Sequence, residues 1–313
     1  MADKSPPNGP FRDPGRTLDG SPRASVRLRR LETLWFNTGT LCNLTCENCY
    51  IESSPSNDRL SYLTLDEVTG YLDEIEARSL GTREIGFTGG EPFMNPALPA
   101  MLGVCLERGF EVIVLTNAMR PMMKQADALA DLARRYGDRL EVRVSIDHHQ
   151  AEQHELERGP RSWRPTIKGL QWLGSAGCRL TVAGRTMWGE DDPTARAGFA
   201  RLFADLGVEI DAQDPASLVL FPEMDEAAAV PEITTACWEI LGKSPDDVMC
   251  ATSRMVVRRR GADHPTVVAC TLLPYDPRFE LGRNLADAEG EVPLLHPHCA
   301  KFCVLGGGAC SVG

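Results

Sequence analysis

The chain has 313 residues, 42% of them hydrophobic and 25% charged, with a formal net charge of −11 from 33 Lys+Arg against 44 Asp+Glu. That acidic balance argues against a nucleic-acid partner, and no apolar run is long enough to span a membrane. Eleven cysteines without an apolar export segment point to a reducing, cytoplasmic setting, where thiols serve metals or catalysis more often than disulfides.

In chain order, residues 1–30 are rich in Pro, Gly and Arg (Arg12, Arg16, Arg23, Arg27, Arg29, Arg30) and read as a disordered basic tail. Strand-like runs then recur at roughly 33–38, 84–88, 111–116, 141–146, 180–185 and 217–221. Helical segments separate most of them. Thr64-Leu65-Asp66-Glu67 is a capping box ahead of apolar Leu65, Val68, Leu72 and Ile75, and Gly81 stands where that helix should stop. Asn95-Pro96 and Asp192-Pro193 open two further helices, which run out at Gly109 and Gly207. Strand and helix in alternation mean parallel strands with helical crossovers.

The expected fold is α/β: a partial (β/α)6 TIM-type barrel over residues 31–230, followed by a small Cys-rich module over 231–313. A barrel is favoured over an open sheet because nearly every strand ends in polar residues, and a barrel gathers such ends at one mouth. The first strand runs into Cys42, Cys46 and Cys49, and the second into Thr88-Gly89-Gly90-Glu91-Pro92. The third ends at Thr116-Asn117, the fourth at Ser145 and Asp147, the fifth at Arg185 and the sixth at Glu223 and Asp225. In the C-terminal module, Cys250 and Cys270 bracket a hairpin from Arg254 to Ala269, and Cys299, Cys303 and Cys310 follow.

The spacing C-x3-C-x2-C supplies three thiolates and no fourth, whereas a structural zinc closes its tetrahedron with four protein ligands. Together with Gly89-Gly90-Glu91-Pro92, over roughly residues 33–225, this chain resembles the radical S-adenosylmethionine (SAM) enzymes. The resemblance implies that Cys42, Cys46 and Cys49 hold a 4Fe-4S cluster with SAM on its open iron. An electron donor such as flavodoxin or ferredoxin supplies the electron that cleaves SAM to a 5′-deoxyadenosyl radical, which takes hydrogen from the substrate. By position, Gly89, Gly90 and Glu91 would receive the methionine amino group, the glycines letting the backbone approach the ligand. Ser145 and Asp147 would meet the ribose, and Arg185 the SAM carboxylate. Thr116 and Asn117 would contact SAM or substrate. One departure stands out: the aromatic residue usual just before the third cysteine is replaced by Asn48, with Tyr50 just after as the candidate adenine contact.

The C-terminal module resembles, less specifically, the SPASM and twitch auxiliary-cluster domains of that family. By this resemblance Cys250, Cys270, Cys299 and Cys303 would hold a second 4Fe-4S cluster, with Cys310 competing for a place. Cys105, Cys178 and Cys237 read as ordinary core residues. Glu223, Asp225 and His148 are the candidates for substrate binding or proton transfer, while the segment His154-Glu155-Leu156-Glu157-Arg158 lacks the second histidine of a zinc-protease helix. The reading is an enzyme that abstracts hydrogen from an unactivated C–H bond of a small polar molecule, with the auxiliary cluster aiding oxidation or ligating substrate. Peptide modification, sulfur insertion from a sacrificial cluster, and a zinc-stabilised binding protein remain the alternatives.

Overall fold

A computed structural model of the chain describes residues 9–222 and 229–306. It opens with a short strand β1 (Ser25–Val26) and continues through six strands that match the expected runs: β2 (Thr33–Asn37), β3 (Glu84–Thr88), β4 (Glu111–Thr116), β5 (Leu140–Ser145), β6 (Arg179–Arg185) and β7 (Leu218–Phe221). They pair parallel in sequential order, with Leu34 opposite Ile85, Ile85 opposite Val112 and Val144 opposite Val182. The helical crossovers include α1 (Leu65–Arg78), α2 (Leu98–Glu107), α3 (Arg120–Met123), α4 (Ala126–Tyr136), α5 (Ala151–Arg158), α6 (Trp163–Ala176) and α7 (Asp192–Leu206). Thr64 and Glu67 form the expected capping box on α1, and Asp191 caps α7 ahead of Pro193. The helix after Asn95-Pro96 starts two residues late, because Asn95 caps the intervening turn by accepting from the Ala97 N–H at 3.0 Å.

The period of two along each strand separates two environments. Leu34, Phe36, Ile85, Phe87, Val112, Val114, Val142, Val144 and Val182 join the core beneath the helices. The opposite face is mixed. A Cβ on Gly86 would sit 2.3 Å from the indole of Trp35, so a glycine is required where that ring crosses to the next strand. Near the strand starts this face holds a buried polar set: Arg143 donates to Glu141 at 2.8 Å and to Thr181 at 3.1 Å. Nearer the strand ends it presents Leu115, Ser145, Ala183, Arg185 and Phe221 to a shared cleft.

The Cys-rich module has a core cluster of its own but is not set apart from the barrel's sheet. After the short helix α8 (Cys237–Leu241), β8 (Ser253–Val257) pairs parallel with β2, and β9 (Thr266–Val268) and β10 (Glu280–Gly282) continue antiparallel, giving one nine-stranded sheet. Nor are residues 9–30 a disordered tail. β1 pairs with β11 (Val292–Pro293), and the fully buried Arg23 side chain pairs with Glu232 while donating to the Leu294 carbonyl at 3.0 Å. Composition misled here because a single buried ion pair outweighs a polar average.

Arg23→Met should therefore cost about 3 kcal/mol of unfolding free energy, because it leaves Glu232 with only the Phe11 and Leu18 N–H groups and takes the donor from the Asp13, Arg16 and Leu294 carbonyls. Urea unfolding of the metal-free chain tests this, with Arg23→Met/Glu232→Gln expected to recover part of the loss. A change below about 1 kcal/mol would place Arg23 among ordinary surface pairs.

Candidate functional site

The segment joining β2 to α1 carries Cys42, Cys46 and Cys49, and its start is held against the end of β3 by backbone bonds. Thr38 N–H donates to Thr88 O at 2.8 Å, Gly90 N–H to Gly39 O at 2.8 Å, and Glu91 N–H to Leu41 O at 3.1 Å. The close backbone approach expected of Gly89 and Gly90 is real, but its partner is this loop. A Cβ on Gly90 would lie 2.3 Å from Leu41 O, and one on Gly89, at φ +140°, 2.5 Å from Gly39 O.

Cys42, Cys46 and Cys49 border one cavity together with Tyr50, Gly89, Gly90, Thr116, Asn117, Ser145 and Arg185. Burial raises the Cys42 thiol to about 12, and raises Cys46 to about 11 against the pull of Arg158. A metal that takes these thiols must displace their protons. Glu91 stands behind this wall rather than in it. Its carboxylate accepts from Thr116 Oγ1 at 2.8 Å, Asn117 N at 2.8 Å and Phe93 N at 3.2 Å, so it ties the ends of β3 and β4 together. Burial lifts its pKa to about 7 despite the Asn117 and Thr116 hydrogen bonds. In this structure the Glu91 carboxylate is held by the ends of β3 and β4, directly behind the Gly89-Gly90 lining of the cavity.

Asp147 is likewise committed to the protein. It accepts from Arg158 at 2.5 and 3.1 Å and lies 3.5 Å from Arg185. Burial works to raise its pKa, but the two guanidinium groups outweigh that and hold it below the ordinary carboxylate value. Arg185 also lies 3.5 Å from Glu157 and donates to the Asn48 carbonyl at 2.9 Å, and its Nη1 has no hydrogen-bond partner among the described residues. Glu157 and Arg158 were not singled out from sequence. Two adjacent charges closing a helix that follows a polar strand end were the available signal, masked by the attention given to His154.

His148 does not face either the cysteine cavity or the neighbouring cleft. Its Nδ1 accepts from Gln150 N–H at 3.0 Å, which puts the proton of a neutral ring on Nε2, 3.3 Å from Glu190. The ring stacks on His149 and meets the edge of Trp188. The ring is thus part of a packed group with His149, Trp188 and Glu190. Glu223, Asp225 and Cys310 lie outside the described residues.

In the C-terminal part, the antiparallel register of β8 and β9 brings Cys250, just before one strand, beside Cys270, just after the other. With Cys299 and Cys303, on the π-helical turn Cys299–Leu305, they border one apolar pocket. Arg254 is buried against them and donates to the Cys250 carbonyl at 2.5 Å; burial lowers its pKa to about 10, countered by Cys250 and Cys270. Cys105 is in the main core, and Cys237 is half-buried with its sulfur near Thr234. Between the two cysteine groups lies a cleft walled by Tyr50, Leu115, Phe221, Leu272 and Phe302 on its apolar side, and by Asp147, Arg158 and Arg185 on its polar side. Leu272 also borders the pocket of the four C-terminal cysteines.

A barrel whose strand ends gather three cysteines and a glycine-backed loop defines a class of protein. The model of the radical SAM superfamily matches residues 36–203, and the chain belongs to that superfamily. It is an enzyme of the kind that uses SAM and a 4Fe-4S cluster. The antilisterial bacteriocin subtilosin biosynthesis protein AlbA of Bacillus subtilis is 32% identical over 45% of this chain and 30% of its own length. A GTP 3',8-cyclase of Tolumonas auensis is 29% identical over 48% of this chain and 43% of its own. The chain thus spans less than half the length of these relatives. The crystal structure of Streptococcus suis SuiB bound to its precursor peptide SuiA superposes with a TM-score of 0.57 at 13% identity, covering 90% of this chain and 67% of that one. Among the described residues no helix is long and apolar enough to cross a membrane.

The raised pKa of Glu91 has a sign that can be measured. A carboxyl favoured in its protonated form by folding stabilises fully below its unfolded value near 4.5 and loses that contribution as pH rises through about 7. The loss is on the order of 3 kcal/mol. Glu91→Gln removes the titration and one acceptor for Asn117 N–H, so it should be less stable at pH 5 yet flatter between pH 5 and 8. Equal pH slopes in the two proteins would show that Glu91 is ionised throughout.

Proposed function

We propose that this chain uses Cys42, Cys46 and Cys49 to hold a 4Fe-4S cluster, which supplies the single electron that splits bound SAM. The cavity's donor set supports the assignment: three thiols with no fourth among the described residues, and the Arg185 guanidinium in the lining, a group suited to a ligand carboxylate. Gly89, Gly90, Thr116, Asn117 and Ser145 would line the SAM-binding side, with Tyr50 beside the adenine. Cys250, Cys270, Cys299 and Cys303 would hold a second 4Fe-4S cluster in the apolar pocket, where the Arg254 guanidinium offsets thiolate charge.

The observation that carries the substrate reading is the cleft between the two cysteine groups. One wall is apolar and aromatic (Tyr50, Phe221, Leu272 and Phe302), and both its arginines are neutralised by Asp147 and Glu157. Such a cleft favours a bulky apolar or aromatic group over a small polar molecule. It leaves no uncommitted pair of cations, among the described residues, for the phosphates of a nucleotide such as GTP. A side chain of a peptide, threaded between the barrel mouth and the C-terminal module, fits this chemistry best. The likeness to a bacteriocin biosynthesis protein agrees with it.

The two cysteine sets should separate by function. Alanine at Cys42, Cys46 and Cys49 is expected to abolish reductive cleavage of SAM to 5′-deoxyadenosine. Alanine at Cys270 or Cys303 is expected to leave cleavage and block substrate conversion, read as deuterium transfer from labelled peptide into 5′-deoxyadenosine. Loss of cleavage in a folded Cys270→Ala or Cys303→Ala protein would overturn the division of roles. Zinc with no acid-labile sulfide after anaerobic reconstitution would overturn the cluster assignment.

A further inference from the structure

The two residues between the second and third cysteines are tied to the rest of the protein by four hydrogen bonds. Glu47 N–H donates to the Glu157 carbonyl at 2.8 Å. Asn48 N–H donates to Glu157 Oε1 at 2.9 Å, and Asn48 Nδ2 to Glu157 Oε2 at 2.8 Å. The Asn48 carbonyl accepts from Arg185 Nη2 at 2.9 Å. Glu157 is 3% exposed, so these bonds form out of water, where a carboxylate left unpaired is expensive.

We infer that Glu157 is a positioning residue for the first cluster: through Asn48 it sets the backbone between Cys46 and Cys49 before any iron is bound. The chemistry is complementary at both ends. Asn48 is the one residue type of its size that offers a side-chain N–H2 beside its own backbone N–H, and a carboxylate accepts both in a fork. A phenylalanine at position 48 offers no second donor, and the larger aromatic rings carry theirs too far from the backbone N–H to share one carboxylate fork with it, which accounts for the pairing of asparagine here with glutamate on α5. The last turn of α5 contributes as well, because the Glu157 carbonyl that binds Glu47 N–H belongs to the group of helix-end acceptors left without an intrahelical donor. Arg185 closes the arrangement from β6, holding the Asn48 carbonyl on one side and lying beside Glu157 on the other. A thiol ligand on a loop already ordered in this way binds metal without the cost of ordering that loop.

This inference rests on Cys42, Cys46 and Cys49 being the cluster ligands, and the test keeps the two apart. Hydrogen exchange is measured on the full chain without iron, for wild type, Glu157→Ala, Glu157→Gln and Asn48→Ala. The Glu47 and Asn48 amides should be protected in the wild type, and the Asn48 amide should exchange at least about tenfold faster in Glu157→Ala, which removes both charge-assisted bonds of Asn48. Glu157→Gln should stay within about threefold of wild type, since Asn48 can flip its amide to accept from the new N–H2. Asn48→Ala, which removes only the side-chain bond, should lie between and serves if Glu157→Ala does not fold. After reconstitution, chelator should strip iron from the cluster with the SAM-sensitive EPR signal in the same order of variants. Protection that appears only on reconstitution, or wild-type exchange in both alanine variants, overturns the positioning role while leaving the cluster assignment standing. Retention of that EPR signal in the Cys42→Ala/Cys46→Ala/Cys49→Ala protein overturns the cluster assignment and leaves the exchange result intact.

Discussion

Four charges are buried where β5, β6 and α5 meet the cysteine loop, and the shape of the barrel mouth follows from how they neutralise one another. Asp147 and Glu157 face Arg158 and Arg185, each side chain at most 12% exposed. Any one of them alone would cost several kcal/mol to bury, and removing one would leave its partner uncompensated. They therefore form as a set, and each pair orients a further contact. Asp147 turns the Arg158 fork toward Cys46, whose thiol it pulls down in pKa. Glu157 and Asp147 hold Arg185 so that one of its N–H groups reaches the Asn48 carbonyl.

The C-terminal module reaches the same loop from the other side. Tyr275 donates its hydroxyl to the Ile51 carbonyl at 2.8 Å, two residues past Cys49, and the guanidinium of Arg59 lies 3.7 Å over its ring. Tyr50 and Phe221 pack against the core of that module, and Phe221 stacks on Phe302. The strand that launches the cysteine loop, β2, is also the strand on which β8 pairs. Both cysteine groups thus take their positions from one strand, which explains why the boundary drawn from cysteine density near residue 230 does not divide the sheet.

Much of this was legible in the residues. All six barrel strands were found because their apolar runs are short and closed by turn signals, and Thr64, Gly109, Pro193 and Gly207 mark helix ends whose capping chemistry is local. The cysteine cavity was legible for a related reason: parallel strands in sequential order put their ends together, so Thr116, Asn117, Ser145 and Arg185 had to converge. What sequence did not reveal depends on pairing between distant charges. Glu91 and Asp147 stand at strand ends, and only the positions of Asn117 N–H and Arg158 show that the protein itself also hydrogen-bonds them. Arg23 looks like part of a solvated basic run until Glu232, 209 residues away, is seen beside it.

The same distinction bears on how the mouth can work. A group already satisfied by the protein has little left to offer a ligand, whereas a buried donor without a partner has its full hydrogen-bonding capacity in reserve. Of the charged residues at this mouth, Glu91, Asp147, Glu157 and Arg158 are held by hydrogen bonds within the protein, and Arg185 donates to Asn48 while its Nη1, without a hydrogen bond among the described residues, lies 3.5 Å from Glu157. The cleft wall beyond it is apolar on the side of Phe221, Leu272 and Phe302. Polar and thiol groups thus border the cysteine cavity, whereas apolar bulk walls much of the adjoining cleft, so the two spaces differ in chemistry while sharing Tyr50, Leu115, Ser145, Arg158 and Arg185.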